Sequence, residues 1–333
     1  MAVTIVRTTT SSQLGSLLTQ ASASTTYLTQ TSASTIYAPI IPTTQTGFRN
    51  LVINGDFIIN QRNYASGSIL PNGSYGFDRW RSSSALNTTL TFSSAPQGQI
   101  LTISSGGSIE QVIERSNITS GTYVLSWTGT ATGRVYNTGS TPPAYAASPI
   151  VITLDGTSNV EVEFTASEGG GTKTLQNVQI ERGSIATPFE KRSIGTELAL
   201  CQRYYQTSFS GSGVTPGHNA SGNGIIYHPG VSGGISGNIY TNIRFPFMRT
   251  SPAVNIWNGN NASATPATAA LIAGLNTSSS GMRIYTAGGS GYDSASIGID
   301  YIRNDSISLY AQASTGGAAS GILAFGYSLN AEL

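Results

Sequence analysis

The residues of this chain that could do chemistry are few, and most of them sit in or beside turns. The stretch Leu51–Arg62, LVINGDFIINQR, sets Asp56 directly after Asn54-Gly55, between two apolar runs. An Asp at such a place can ligate calcium, accept from a sugar hydroxyl, or brace the turn itself. The bracing role is the expectation, with two short strands flanking the turn, and Asp56 is kept as a candidate calcium ligand. Glu161 and Glu163 share one face of VEVEF, as a carboxylate pair for glycoside hydrolysis would. However, unbroken period-two alternation marks a strand with one face buried and one in water, so these two are expected on a solvated outer face. The two histidines, His218 and His228, have no HxxxH or HExxH spacing. No GxSxG, no phosphate-cradling GxxxxGK and no DxDxDG calcium loop occurs. No catalytic residue is therefore assigned, an enzyme is not expected, and no cofactor is implied.

Sugar binding is better supplied. A sugar ring stacks on an exposed aromatic face while Asn, Asp and Arg satisfy its hydroxyls. NGSYGFDRWR puts Tyr75, Asp78, Arg79 and Trp80 in one short segment, with Tyr75 and Trp80 as the stacking candidates. Further along, Trp257 lies beside Asn255 and Asn258, and Tyr292 with Asp293 falls in a Gly/Ser-rich stretch read as a loop. For every one of these aromatics, and for Trp80 above all, the competing role is core packing.

The elements that must position these groups read as strands. Only 9% of the 333 residues are charged, against roughly 25% in ordinary domains. A net charge of +1 with no cationic cluster excludes a nucleic-acid surface. Lysine occurs only as Lys173 and Lys191, so the cations are nearly all Arg, the side chain suited to fixed, stacked contacts. Ser, Thr, Asn and the 39 Gly alternate with regularly spaced aliphatics and 16 Tyr, a pattern of short strands and Gly-rich turns. A single cysteine, Cys201, rules out an intrachain disulfide framework. No basic region followed by an apolar run opens the chain and no stretch approaches membrane-spanning length, so a soluble chain assembled in the cytoplasm is expected, without membrane insertion.

Four regions follow. Residues 1–48 lack Trp, Cys, Asp and Glu and hold a ten-residue repeat, LTQASASTTY then LTQTSASTIY (Leu18–Tyr37). Each unit offers too little apolar surface to fold alone, which points to a fibrous arm stabilised by self-association. From 49 to 192, TLTFSS, QILTIS, SIEQVIE, TYVLSWTG, IVITLD, VEVEFT and LQNVQIE, with the opening segment, give about eight or nine strands, the number of a jelly-roll β-sandwich. Residues 193–207 read as a short linking helix, capped by Ser193 or Thr196, with Leu198, Cys201 and Tyr205 on one face. Residues 208–333 resume strands, GIIYHP through ILAFGYSL, as a second β-sandwich with loop tips such as Ser210–Gly224. The fold class is all-β.

The ordered series NLVINGDFIINQR, FDRW, QIERGSIATPFEKR and ELALCQRYYQ resembles tail-fibre and related virion proteins of bacteriophages, as do the terminal GYSLNAEL and the shaft-like repeat before Tyr37-Ala38-Pro39. The resemblance implies a carbohydrate-binding-like jelly roll, a homotrimer, attachment to other virion proteins through residues 1–48, and distal domains that reach host cell-surface polysaccharide. It implies a place in the virion tail and brings no catalytic set. The alternatives from other classes are a purely structural collar, head-fibre or decoration protein, and a polysaccharide depolymerase.

Overall fold

Alternation of apolar and polar residues from Thr88 onward does build strands. The computed structural model describes residues 48–83, 87–96, 98–208, 226–232, 238–258, 283–285, 291–313 and 320–333. The repeat of Leu18–Tyr37 and the Ser210–Gly224 stretch lie outside the described residues. Residues 49–333 form one compact unit.

Ten strands form the first part of this unit: β1 (Ile69–Leu70), β2 (Arg81–Ser82), β3 (Thr88–Ala95), β4 (Gly98–Ile103), β5 (Ser108–Ile113), β6 (Gly121–Gly129), β7 (Thr132–Asn137), β8 (Ile150–Leu154), β9 (Val160–Thr165) and β10 (Lys173–Arg182). They make a six-stranded sheet, β1-β3-β4-β10-β6-β8, and a four-stranded sheet, β2-β5-β9-β7, with every pairing antiparallel. From β4 to β10 the chain crosses from one sheet to the other at every step, which is the jelly-roll arrangement. Leu101, Ile103, Leu125 and Ile180 of the larger sheet face Ile109, Val135, Val162 and Phe164 of the smaller in one core. Each such side chain taken from water contributes about 1.5–3 kcal/mol before entropy is set against it.

The opening segment departs from its expectation. Leu51–Arg62 forms no strand; it is a looped segment with Asn54 and Phe57 in the left-handed region. The cause lies in β10. Beyond Leu175, β10 has left β4 behind, and a register shift between Gln176 and Gln179 bends it. The loop takes the vacated edge: Leu51 N donates to Ile180 O, and Val178 N donates to Gly55 O, both at 2.9 Å. Gly55 is required there, because a Cβ would collide with the Val178 carbonyl.

Helix α1 (Ile194–Gln202) follows, with Ser193 Oγ accepting from Thr196 N and Glu197 in its first turn. Cys201 is fully buried on it. The Arg203-Tyr204-Tyr205 element is not helical: the chain turns at Arg203 and Tyr204, and Tyr205 opens the next strand.

The remaining strands are β11 (Tyr205–Thr207), β12 (Ile226–Ser232), β13 (Asn238–Arg244), β14 (Ala253–Asn258), β15 (Arg283–Tyr285), β16 (Gly291–Ile302), β17 (Ser306–Ala313) and β18 (Ser320–Asn330). They form one sheet whose pairings return on themselves: β18 to β12, β13, β17, β16, β15 and back to β18. β11 and β14 extend the ladder along the far end of β18. Ile243, Val254, Ile256, Ile307, Leu309, Phe325 and Leu329 fill its core.

Candidate functional site

Several residues that the sequence marks as site candidates turn out to hold the fold together. Asn54 is fully buried and bonds in three directions. Its side chain exchanges hydrogen bonds with Ile59 N and O at 2.9 and 2.8 Å and donates to Asp78 O at 3.1 Å, while its carbonyl accepts from Trp80 Nε1 at 3.0 Å. Trp80 is therefore core: its ring is fully enclosed, 5.3 Å from Phe57 and 6.0 Å from Phe164, and offers no face to a sugar. Asp56 is buried, accepts from the backbone N–H groups of Asp56 and Ile58, and lies against Gly98, whose added Cβ would stand 2.5 Å from Asp56 O. Burial, and secondarily Glu197, push its carboxyl above the ordinary range. Among the described residues no three His, Cys, Asp or Glu gather as a metal centre.

Tyr75 lies in an arginine-rich junction between the jelly roll and the second sheet. Its hydroxyl donates to Leu333 O at 2.8 Å. Arg79, 1% exposed, stacks 3.6 Å over Tyr204 and meets the Glu332 carboxylate; Arg62 stacks 3.7 Å over Tyr205 and reaches Glu332 at 3.3 Å. Asp78 accepts from Gln61 N and Nε2 at 2.6 and 2.7 Å, and burial raises its carboxyl despite Arg62. Glu114 joins Arg203 at 3.1 Å. NGDFIINQR, FDRW, CQRYY and NAEL thus meet here.

A second polar constellation lies on the outer face of the four-stranded sheet. Register sets Arg81, Glu110, Glu163 and Arg134 side by side across β2, β5, β9 and β7. Arg81 Nε donates to Glu110 at 2.6 Å, and Arg134 Nε donates to Glu163 at 2.6 Å. Tyr145 Oη and Ser83 Oγ reach the other Glu163 oxygen at 2.7 and 2.9 Å, and the Arg134 guanidinium lies 4.2 Å over the Tyr145 ring. Tyr136 completes the edge beside Glu161. Burial and then hydrogen bonding to carboxylates (Glu161 for Tyr136, Glu163 for Tyr145) raise both phenols, so both stay protonated donors. Burial also raises Glu110, outweighing Arg81.

This row corrects the expectation for VEVEF. Glu163 is buried, not solvated, because the segment carrying Tyr145 pairs back onto β7 through Gly133 and Ala146 and covers it. The sequence offered one unused signal: β7, TGRVYN, places Arg134 and Tyr136 on one face, but Thr-Gly-Arg interrupts the apolar alternation that would mark it as a strand. The remaining candidates stay apart from the row in sequence. Trp257 lies on β14 opposite Gly326, and Tyr292 and Asp293 lie on strand β16, not in a loop. The side chains of all three fall outside the described residues.

Fold and row together define an antiparallel jelly-roll protein with a polar, tyrosine-edged sheet face. No family model and no curated protein matches the chain. Among solved structures, the enzymatically active domain of tailspike protein 4 of bacteriophage CBA120 is similar over 40% of this chain and 22% of its own, at 14% identity and a TM-score of 0.27. A putative sugar binding protein from Bacteroides thetaiotaomicron is similar over 40% of this chain and 100% of its own, at 13% identity and a TM-score of 0.26. The family 11 carbohydrate-binding module of Clostridium thermocellum, solved with a β-1,3-1,4-mixed-linked tetrasaccharide, is similar over 36% of this chain and 96% of its own, at 13% identity and a TM-score of 0.21. This chain thus spans under a quarter of the tailspike structure.

Proposed function

We propose that this chain is a bacteriophage tail-fibre protein that adheres to host-surface glycans without cleaving them, as a homotrimer held in the virion through residues 1–48. The observation that carries the reading is the Arg81–Glu110–Glu163–Arg134 row with Tyr145 and Tyr136 at its edge. The partly exposed Arg81 and Arg134 guanidiniums present donors, held in place by the buried Glu110 and Glu163, and Tyr145 supplies an aromatic ring beside Arg134, which suits sugar hydroxyls and a sugar ring. The Leu/Tyr repeat supports the fibrous, self-associating arm. The pairing supports non-catalytic adhesion: Glu110 and Glu163 each have an arginine partner of their own. The test is binding of the purified protein to extracted host polysaccharide. Wild type should bind and Tyr145→Ala should lose at least tenfold; equal binding by both, or none by wild type, overturns the reading.

A depolymerase is the second reading, because Glu110 directly faces Glu163 across neighbouring strands. It predicts release of reducing sugar ends that Glu110→Gln or Glu163→Gln abolishes. Adhesion predicts no release by any of the three proteins.

A further inference from the structure

Glu332 sits where a bound ligand would sit. Its carboxylate contacts Arg79 and Arg62, which lie 253 and 270 positions away in the sequence. Both guanidiniums are held independently of it. Arg79 stacks on Tyr204 and donates to Val112 O at 2.5 Å; Arg62 stacks on Tyr205 and stands 3.7 Å from Asp78. The neighbouring backbone is recognised too. Ala331 N donates to Tyr204 O at 2.7 Å, and Arg249 donates to Ala331 O at 2.9 Å and Glu332 O at 3.1 Å. Leu333 O accepts from Tyr75 at 2.8 Å and Arg81 at 2.9 Å. The nearest of these receptor residues to the segment, Arg249, is still 82 positions from Ala331.

The charges around the segment are unequal. Arg62 has Asp78, Arg81 has Glu110 and Arg249 has Glu114 as further partners. Among the described residues, Arg79 pairs with no carboxylate except Glu332. Without that carboxylate, a cation 1% exposed would stay buried and uncompensated. The site as built thus suits a short peptide that carries an anion.

We propose that the jelly roll and the Arg203–Tyr205 turn form a binding site for an acidic Ala-Glu-Leu peptide, which the chain fills in cis with residues 331–333 and which accepts that peptide in trans when the segment is removed. Occupancy couples β18, which ends one residue earlier, to the jelly roll. The probe is the labelled tetrapeptide acetyl-Asn-Ala-Glu-Leu, titrated by fluorescence anisotropy against the full chain and against a chain cut after Leu329. The cut chain should bind, the full chain should not, and the Gln analogue of the peptide should bind at least tenfold more weakly. A folded cut chain that ignores the peptide, or that binds both peptides alike, overturns the proposal. If the cut chain does not fold, Glu332→Gln in the full chain decides. Hydrogen exchange at β11 and β14 should then quicken while β3 to β10 stay unchanged, and millimolar tetrapeptide should restore the slow exchange. Exchange identical to wild type, or no restoration, overturns it.

Discussion

Two arginine–glutamate–tyrosine sets lie among the described residues, and burial separates their roles. In the junction, Arg79 and Glu332 are almost wholly enclosed, with side-chain exposures of 1% and 4%. In the row, Arg81 and Arg134 keep 27% and 20% of their side chains in contact with solvent, while their partners Glu110 and Glu163 keep 10% and 4%. The same residue types thus hold parts of the chain together where both partners are enclosed, and leave guanidinium donors open to solvent where only the carboxylate is. A buried ion pair is costly to break from one side, because the remaining charge has lost both water and partner. An exposed pair contributes up to about 1 kcal/mol.

The contrast is sharpest for single truncations. Arg79→Ala leaves Glu332 buried beside Arg62 alone and removes the stack on Tyr204, so stability should fall by about 3–5 kcal/mol. Urea unfolding followed by tyrosine and tryptophan fluorescence measures it, and a loss below about 1 kcal/mol would place the junction with the surface pairs. Gly55→Ala comes next. Its methyl meets the Val178 carbonyl at the edge of β10, and the forced backbone shift should cost about 1–3 kcal/mol. Arg134→Ala removes a guanidinium that is 20% exposed but leaves Glu163, only 4% exposed, without its arginine and dependent on neutral donors such as Tyr145 and Ser83, so it should cost about 1–3 kcal/mol and also weaken polysaccharide binding. Loss of stability equal to that of Arg79→Ala would show the row to be structural.

The sequence foretold the strands better than the site. All seven runs expected between Thr89 and Glu181 are strands, because each carries its alternation locally. β1 and β2, with two residues each, are too short to show a period. The NGD segment misled for a different reason: its turn composition is genuine, but its partner is the bent edge of β10, more than 120 positions away. The row was hidden likewise. VEVEF shows two glutamates on one face, whereas the arginines that neutralise them, or their neighbours, come from β2 and β7 by register alone. FDRW and CQRYY were legible as motifs, and their meaning, stacked arginines around a distant carboxylate, was not.

The smallest expected effect concerns acid, and it divides the junction itself. Burial raises Asp78 above the ordinary carboxyl value of 3.8. The folded state therefore holds the proton more tightly, and from pH 3.8 up through the raised folded value this residue's contribution to stability falls as pH rises. Glu114 behaves oppositely. Burial would raise it, but hydrogen bonds from Arg203 and Tyr204 win and hold it below the ordinary value of 4.5. Its contribution is present above pH 4.5 and is lost as pH falls through the lowered folded value. Glu114→Gln should therefore flatten the acid side of the stability profile, and Asp78→Asn should steepen it, since the compensating gain disappears. Urea midpoints collected at closely spaced pH values below neutrality check the two signs. Equal slopes in both variants would mean that the two carboxylates titrate as one coupled group through the arginines between them.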